Sequence, residues 1–419
     1  MKSILAFIIV FGLVVFVHEF GHFFVAKKAG ILVREFSIGM GPKLVQWRPG
    51  QTTYTIRWLP LGGYVRLAGP DEQSEIDPGT AVVLELNEAG NVTRIDASES
   101  DLPIEGRPLR VTKADLVDDL TIAGYENGDE SQLVTYKVDH DATMIDDTGT
   151  ELQITPRDVQ LPAAKPWKKL ATSFAGPFMN VVLGFVVLMI YSFASVGPAT
   201  TTVGQVAANS PAQHVLQKGD QIVAINGRKI NTFDQVSQAI DSSKGKTLTV
   251  KVKRQGSEKS VQLTPKYSKK TKSYLVGIVA KADNSFSAKL KRGWDLSWQV
   301  TGMIFQALGN LFKHFSLNKL SGPVGIYSET SKATSMGLTY MLAFVGMLSI
   351  NLGIVNLIPI PGLDGGKLLL ELIELRGEKP IPEEHETVVD LIGVVFLLIL
   401  IIAVTGNDIY RYFIKWSLK

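Results

Sequence analysis

The chain has 419 residues, 45% of them hydrophobic, and no cysteine. Disulfides, thiol nucleophiles and thiolate metal ligands are therefore excluded, and a metal would have to be held by His, Asp or Glu. The 43 basic and 40 acidic side chains leave a formal charge of +3, and the basic residues neither form a stripe nor alternate with aromatics, so no nucleic-acid partner is indicated.

Apolar residues fill positions 4–17 and resume over 23–26. Together they cover roughly 23 residues, enough to cross about 30 Å of hydrocarbon as a helix. Inside that stretch stands His18-Glu19-Phe20-Gly21-His22. Ionisable groups at membrane depth are costly and point to function. His18 and His22 lie one turn apart on one helix face and can present two imidazoles to one Zn²⁺. Glu19, beside the first of them, is placed to take a proton from an attacking water. A signal peptide is the competing reading of this segment. Lys2 and the apolar run suit it, but the His-Glu-x-x-His run and the missing small-residue cleavage site do not.

After this first transmembrane segment (1–30), residues 31–70 read as a membrane-associated β-hairpin. Positions 53–58 and 64–67 have strand character, with Gly62-Gly63 expected as the turn. Residues 71–165 form an acidic insert, with 22 acidic side chains against 7 basic ones. Short alternating stretches at 133–138 and 151–154 suggest β structure there. A second span lies within 166–197, where positions 174–196 carry no charge. Lys27, Lys28 and Arg34 follow the first span, and Trp167, Lys168 and Lys169 precede the second. By the positive-inside rule the insert is expected to be cytoplasmic.

Residues 198–285 read as an extracytoplasmic β-rich domain. A strand ends in the turn Asn226-Gly227, a second strand covers 248–254 and turns at Gln255-Gly256, and 261–263 returns. Between them 233–240 reads as a short helix with Thr232 as N-cap. Residues 286–337 hold an amphipathic interfacial helix over 296–315 and a linker. A third span covers 338–366, a cytoplasmic loop 367–387, and a fourth span with its tail 388–419. Arg411, Lys415 and Lys419 pull against an outer C-terminus. The pattern is that of a polytopic α-helical membrane protein with about four transmembrane helices, a membrane-associated β-hairpin and an inserted β-rich domain.

Two histidines do not complete a catalytic zinc site, which ordinarily has three protein ligands and an open position. Asp364 ends the uncharged 338–363 segment, in a run where Pro359, Pro361 and Gly362 break a helix at membrane depth. It is the leading candidate for the third ligand. Glu371 and Glu374 are rivals in a more polar stretch, while His140, His214 and His314 fall in segments expected off the membrane.

Several runs in order along nearly the whole chain carry a resemblance. These are the His18 to His22 run, Gly62-Gly63-Tyr64-Val65, Phe174-Ala175-Gly176-Pro177-Phe178-Met179-Asn180, Ser321-Gly322-Pro323-Val324-Gly325-Ile326, and Asn356-x-x-Pro359-x-x-x-x-Asp364-Gly365. The chain resembles the site-2 protease family of membrane-embedded zinc metalloproteases (M50-type, RseP-like). The resemblance implies that Zn²⁺ is held by His18, His22 and Asp364, that Glu19 is the general base, and that the enzyme is a zinc metalloendopeptidase. Its reaction would be cleavage of transmembrane segments of pre-trimmed single-span proteins, as in regulated intramembrane proteolysis. Anti-sigma factors, signal-peptide remnants and pheromone precursors are the substrates it suggests, after an upstream site-1 protease.

The same resemblance links Asn180 and Asn356 to substrate handling, and helix–helix glue is the plain reading of Asn180. Tyr64 and Val65 are candidates for a strand edge that holds substrate extended. Asn209-Ser210-Pro211-Ala212, followed by Gly219-Asp220-x-Ile222-x-x-Ile225-Asn226-Gly227, resembles a PDZ domain. Tyr274-Leu275-Val276-Gly277-Ile278 would be its carboxylate loop, so that Leu275, Val276, Gly277 and Ile278 bind peptide; a filter with no ligand is the other reading. A single PDZ-like domain and a long acidic insert suit the Gram-positive branch. The expected setting is the plasma membrane, with the bilayer as partner and the active site near the cytoplasmic side. Two other classes compete: a non-hydrolytic adaptor presenting the PDZ-like domain, and a metal transporter. The retained His18, Glu19, His22 and Asp364 argue against the first, and spans almost bare of charge against the second.

Overall fold

The computed structural model describes residues 1–69, 76–98, 106–127, 129–146, 149–377 and 383–411. Lys415 and Lys419 lie outside the described residues. Among the described residues the helices are α1 (Lys2–Ala29), α2 (Pro166–Ala194), α3 (Phe233–Ser242), α4 (Phe286–Lys313), α5 (Pro323–Met336), α6 (Leu338–Asn356), α7 (Asp364–Arg376) and α8 (Glu383–Ile409). Four of them, α1, α2, α6 and the 387–409 stretch of α8, are long and apolar enough to cross a membrane. On α8, Leu391, Ile392, Ile399 and Ile402 are all more than 60% exposed. Such a face belongs in lipid rather than water. The chain is a multi-pass membrane protein.

It divides into two compact units. One comprises residues 1–184, 304–337 and 347–419; the other comprises 185–303 and 338–346.

In the first unit, α1 ends at Gly30, whose φ of 80° places it in the left-handed C-cap conformation. Two long strands follow, β1 (Val33–Trp47) and β2 (Thr53–Leu67). They pair along their length, but each also bends back. The 33–38 half of β1 pairs with both 63–67 and 53–56, and the 43–47 half pairs with 54–57. The result is a curled sheet of four segments. The expected reversal near Gly62-Gly63 is present inside β2: 53–56 runs parallel to 33–38 and 63–67 antiparallel to it, and Gly62 has a φ of 83°. The pairing differs from a simple hairpin, since 53–56 and 63–67 flank 33–38 instead of each other, and a further turn lies near Gly50. A Cβ on Gly63, where the returning segment begins, would stand 2.7 Å from the Ser37 carbonyl oxygen and 3.0 Å from Glu19 Cγ, so this glycine also serves close approach.

The acidic insert is a six-stranded sheet over a core that includes Leu84, Ile95, Leu109, Ile122 and Ile154. It is antiparallel except where Val92–Asp96 runs parallel to Leu133–Ile145. It is tied to the base of the hairpin, where Leu32 N–H donates to the Val159 carbonyl at 2.9 Å and Leu161 N–H to the Ala68 carbonyl at 3.0 Å. Helix α5, absent from the sequence expectation, starts with Pro323 at its first turn. The buried Asp408 carboxylate of α8 accepts from Gly322 N–H at 2.8 Å and Gly325 N–H at 3.0 Å. It satisfies two donors that a helix start leaves free.

In the second unit, a sheet in the order 257–263, 248–254, 221–225, 199–206, 278–282 packs on α3. Thr232 caps α3 through a reciprocal box with Gln235. Asn226 and Gly227, both at positive φ, make the hairpin turn. Val203, Leu216, Ile222, Val236 and Val252 form a closed core of its own. This arrangement is PDZ-like. The amphipathic segment expected at 296–315 is part of the longer α4, which leaves Trp294, Trp298, Phe305 and Phe312 exposed.

Candidate active site

Helix α1 carries His18, Glu19 and His22 into contact with α2, and small residues make that approach possible. A Cβ on Gly21 would lie 2.5 Å from the Ala175 carbonyl oxygen, and one on Gly176 would overlap the His22 ring at Nε2. Pro177, inside α2, lacks the N–H that would bond the Ser173 carbonyl. The Thr172 carbonyl accepts from His22 Nδ1 at 2.8 Å. In the neutral ring that contact puts the proton on Nδ1 and leaves Nε2 as the nitrogen able to bind a metal.

Helix α6 joins α2 in the same way. A Cβ on Gly353 would be 2.7 Å from the Pro177 carbonyl oxygen, and Ser349 Oγ donates to the Asn180 carbonyl at 2.7 Å. Asn356, the last residue of α6, has its Nδ2 3.4 Å from His18 Nε2. The helix stops there, and Asp364 opens a separate helix, α7, rather than ending the third span. Gly366 allows the start of α7 to fold against the loop, since a Cβ there would lie 2.6 Å from the Ile360 carbonyl oxygen.

These elements bring three donor groups together. His18 Nε2 is 3.1 Å from Asp364 Oδ2, His22 Nε2 is 3.5 Å from Asp364 Oδ1, and the two Nε2 atoms are 3.3 Å apart. Tetrahedral Zn²⁺ with bonds of about 2.0–2.1 Å sets its ligand atoms roughly 3.3 Å apart. With one Asp364 oxygen facing each imidazole, the group is of a size to hold zinc, and its N,N,O donor set fits in kind. Among the described residues this is the one group of three or more such side chains close enough to hold a metal.

The rivals sit elsewhere. Ser173 Oγ donates to Glu371 at 2.6 Å, and Lys169 pairs with Glu374 at 2.8 Å, so both glutamates tie α7 to α2. Asn180 is 2% exposed, with its amide behind His18 rather than on an open surface. Tyr64 and Val65 lie on the 63–67 segment, which pairs with β1 on one side only among the described residues. Tyr64 Oη accepts from Arg57 at 2.6 Å, and Arg57 also pairs with Glu35 at 3.1 Å. In the other unit, Leu275, Val276, Gly277 and Ile278 line a cavity of about 500 Å³ together with Phe233 and Ile240 of α3.

A family model for "Peptidase family M50" matches residues 6–400. The chain belongs to peptidase family M50. This is the site-2 protease family, and the chain is a zinc metalloprotease. It is 45% identical to "Probable protease eep" of Enterococcus faecalis, over 99% of this chain and all of that one. It is equally similar, with the same coverage, to a "Putative zinc metalloprotease" of Streptococcus pyogenes serotype M6. Among solved structures, the PDZ domain of an SdrC-like protein from Listeria monocytogenes matches at 22% identity. That match covers 20% of this chain and 88% of that one, with a TM-score of 0.18.

Sequence reasoning missed Gly176, Thr172 and Ser349 as parts of the site's frame. The signal was present in the glycine before Pro177, but what it approaches is set by tertiary contact.

Proposed function

We propose that this M50 protease hydrolyses peptide bonds in or beside the transmembrane segments of single-span proteins already trimmed on the outer side, with His18, His22 and Asp364 as zinc ligands. The observation that carries this reading is the meeting of both imidazoles with the Asp364 carboxylate, at 3.1 to 3.5 Å, on an apolar helix.

When bound there, zinc would supply Lewis acidity, polarising the scissile carbonyl and making a water nucleophilic. Glu19 is the general base, adjacent to His18 on α1 and one contact from Gly63 of β2. It takes the proton of the attacking water and delivers it to the departing amine. Asn356, beside His18 Nε2, donates its amide N–H to the substrate carbonyl as charge grows on that oxygen. A transmembrane helix hides its peptide bonds, so substrate must be unwound before attack. Among the described residues the side of the 63–67 segment away from β1 pairs with no other strand, and with Tyr64 and Val65 it suits pairing with an extended strand next to Glu19. The cavity at 275–278 suits the free carboxyl end of a trimmed chain. Lys27, Lys28, Lys168 and Lys169 near the ends of α1 and α2 support a cytoplasmic location for that end of the site.

The test is Glu19→Gln, co-expressed with a single-span model substrate. General-base loss is expected to slow cleavage by about 10²- to 10⁴-fold with zinc content unchanged. Cleavage at the wild-type rate would sink the assigned role.

A further inference from the structure

Both ligand histidines turn their second ring nitrogen towards α2. For His22 the contact is the Thr172 carbonyl, 2.8 Å from Nδ1. For His18 it is the side chain of Asn180, whose Nδ2 is placed 3.4 Å from Nδ1. A neutral imidazole has one donor and one acceptor nitrogen. If His18 Nε2 faces the metal, Nδ1 carries the proton and requires an acceptor, which an amide nitrogen cannot be. Meanwhile Asn180 Oδ1 is buried and has no hydrogen-bond partner. The two ends of an amide are exchanged by a half-turn of the side chain, and their assignment follows the hydrogen bonds. Turned so, Oδ1 meets the Nδ1–H of His18 and one orphaned acceptor is satisfied. The Asn180 backbone is itself fixed by Ser349 Oγ on its carbonyl at 2.7 Å.

We infer that Asn180 is a positioning residue for the metal site: its Oδ1 accepts from His18 Nδ1–H and holds Nε2 towards the metal. Helix α2 thereby orients both histidines, through Thr172 and Asn180. The inference rests on the proposed zinc assignment of His18. It places Asn180 behind the ligand instead of on the substrate.

The test uses the full chain in detergent, with Asn180→Leu (volume kept, acceptor removed), Asn180→Ala and Asn180→Asp (acceptor restored). Zinc affinity is read by chelator competition, and ligand geometry by the visible spectrum of the Co²⁺-substituted protein. Loss of such an outer partner is expected to weaken zinc binding about 10- to 100-fold in Asn180→Leu, with an altered Co²⁺ spectrum, and Asn180→Asp to recover most of it. Should the leucine variant not fold, the alanine variant carries the same expectation. Wild-type zinc affinity in both folded variants, even with slowed cleavage, would overturn the inference and return Asn180 to substrate handling. Wild-type zinc binding in His18→Ala would instead overturn the zinc assignment itself.

Discussion

At His22 the nearest neighbour is helix backbone: a single methyl group on Gly176 would overlap the imidazole, and the Thr172 carbonyl holds the other side of the ring. Beside α3 in the PDZ-like domain lies an open cavity of about 500 Å³, lined by side chains over a closed apolar core. The first region fixes atoms by excluding volume and fails through displacement. The second fixes a scaffold and leaves space, and fails through loss of the interactions that keep the scaffold folded. Substitutions should separate these behaviours.

The largest expected effect is at Gly176. Gly176→Ala must push His22 or α2 aside, and zinc affinity should fall by about 100-fold or more, at the upper end of what disturbing a ligand's surroundings costs. Normal zinc binding by this variant, measured by chelator competition, would break the contrast at its strongest point.

Next is the link between α2 and α7. Lys169 and Glu374 are 10% and 15% exposed, and removing one partner of so enclosed a pair costs about 3–5 kcal/mol. Lys169→Ala should therefore lower the melting temperature and weaken zinc binding through Asp364, while Lys169→Glu with Glu374→Lys recovers part of both. Recovery of neither would mean that the pair does not position α7.

The PDZ-like domain has a comparable pair without a metal at stake. Burial pushes the Asp220 carboxyl up, but hydrogen bonds from Arg254 and Gln217 N–H outweigh it and hold the group below the usual carboxylate range. A depressed carboxyl contributes stability that is present above its unfolded value near pH 4 and lost as pH falls through the folded one. Asp220→Asn should cost about 2–3 kcal/mol of local stability by hydrogen exchange. Zinc affinity should stay at the wild-type level, and a fall in it would blur the distinction between the two regions.

The smallest effect belongs to the insert. Hydrogen bonding to Asp141, with help from Asp158 and against burial, raises the pKa of His140. The stability this adds is present below the unfolded value near 6.5 and fades as pH rises through the higher folded one. Exposure of all three groups keeps it small, and Asp158→Asn should flatten the pH dependence seen by hydrogen exchange around 140 and 157–159.

Local patterns were legible in the sequence because their causes are local. The i, i+4 histidines, the apolar spans, the Thr232 cap and the Asn226-Gly227 turn each depend on neighbours within a few positions. Asp364 was legible as a polar residue closing an apolar run, though only the fold moves Glu371 and Glu374 away to α2. The glycines were half legible. Gly62-Gly63 carries a turn signature and the chain does reverse there, but the strands on its two sides flank 33–38, and only the fold shows that Glu19 and Ser37 stand over Gly63. Helix α5 escaped because its start is satisfied by Asp408, more than 80 positions further on. Asn180 suggested substrate or helix glue, and only the ring it faces suggests a ligand support.

Zinc content of purified Asp364→Ala tests the metal site most directly. If His18, His22 and Asp364 form the ligand set, the wild type carries one zinc per chain, and the variant, still folded, loses it or holds it far more weakly. Unchanged stoichiometric zinc in Asp364→Ala would contradict the assignment.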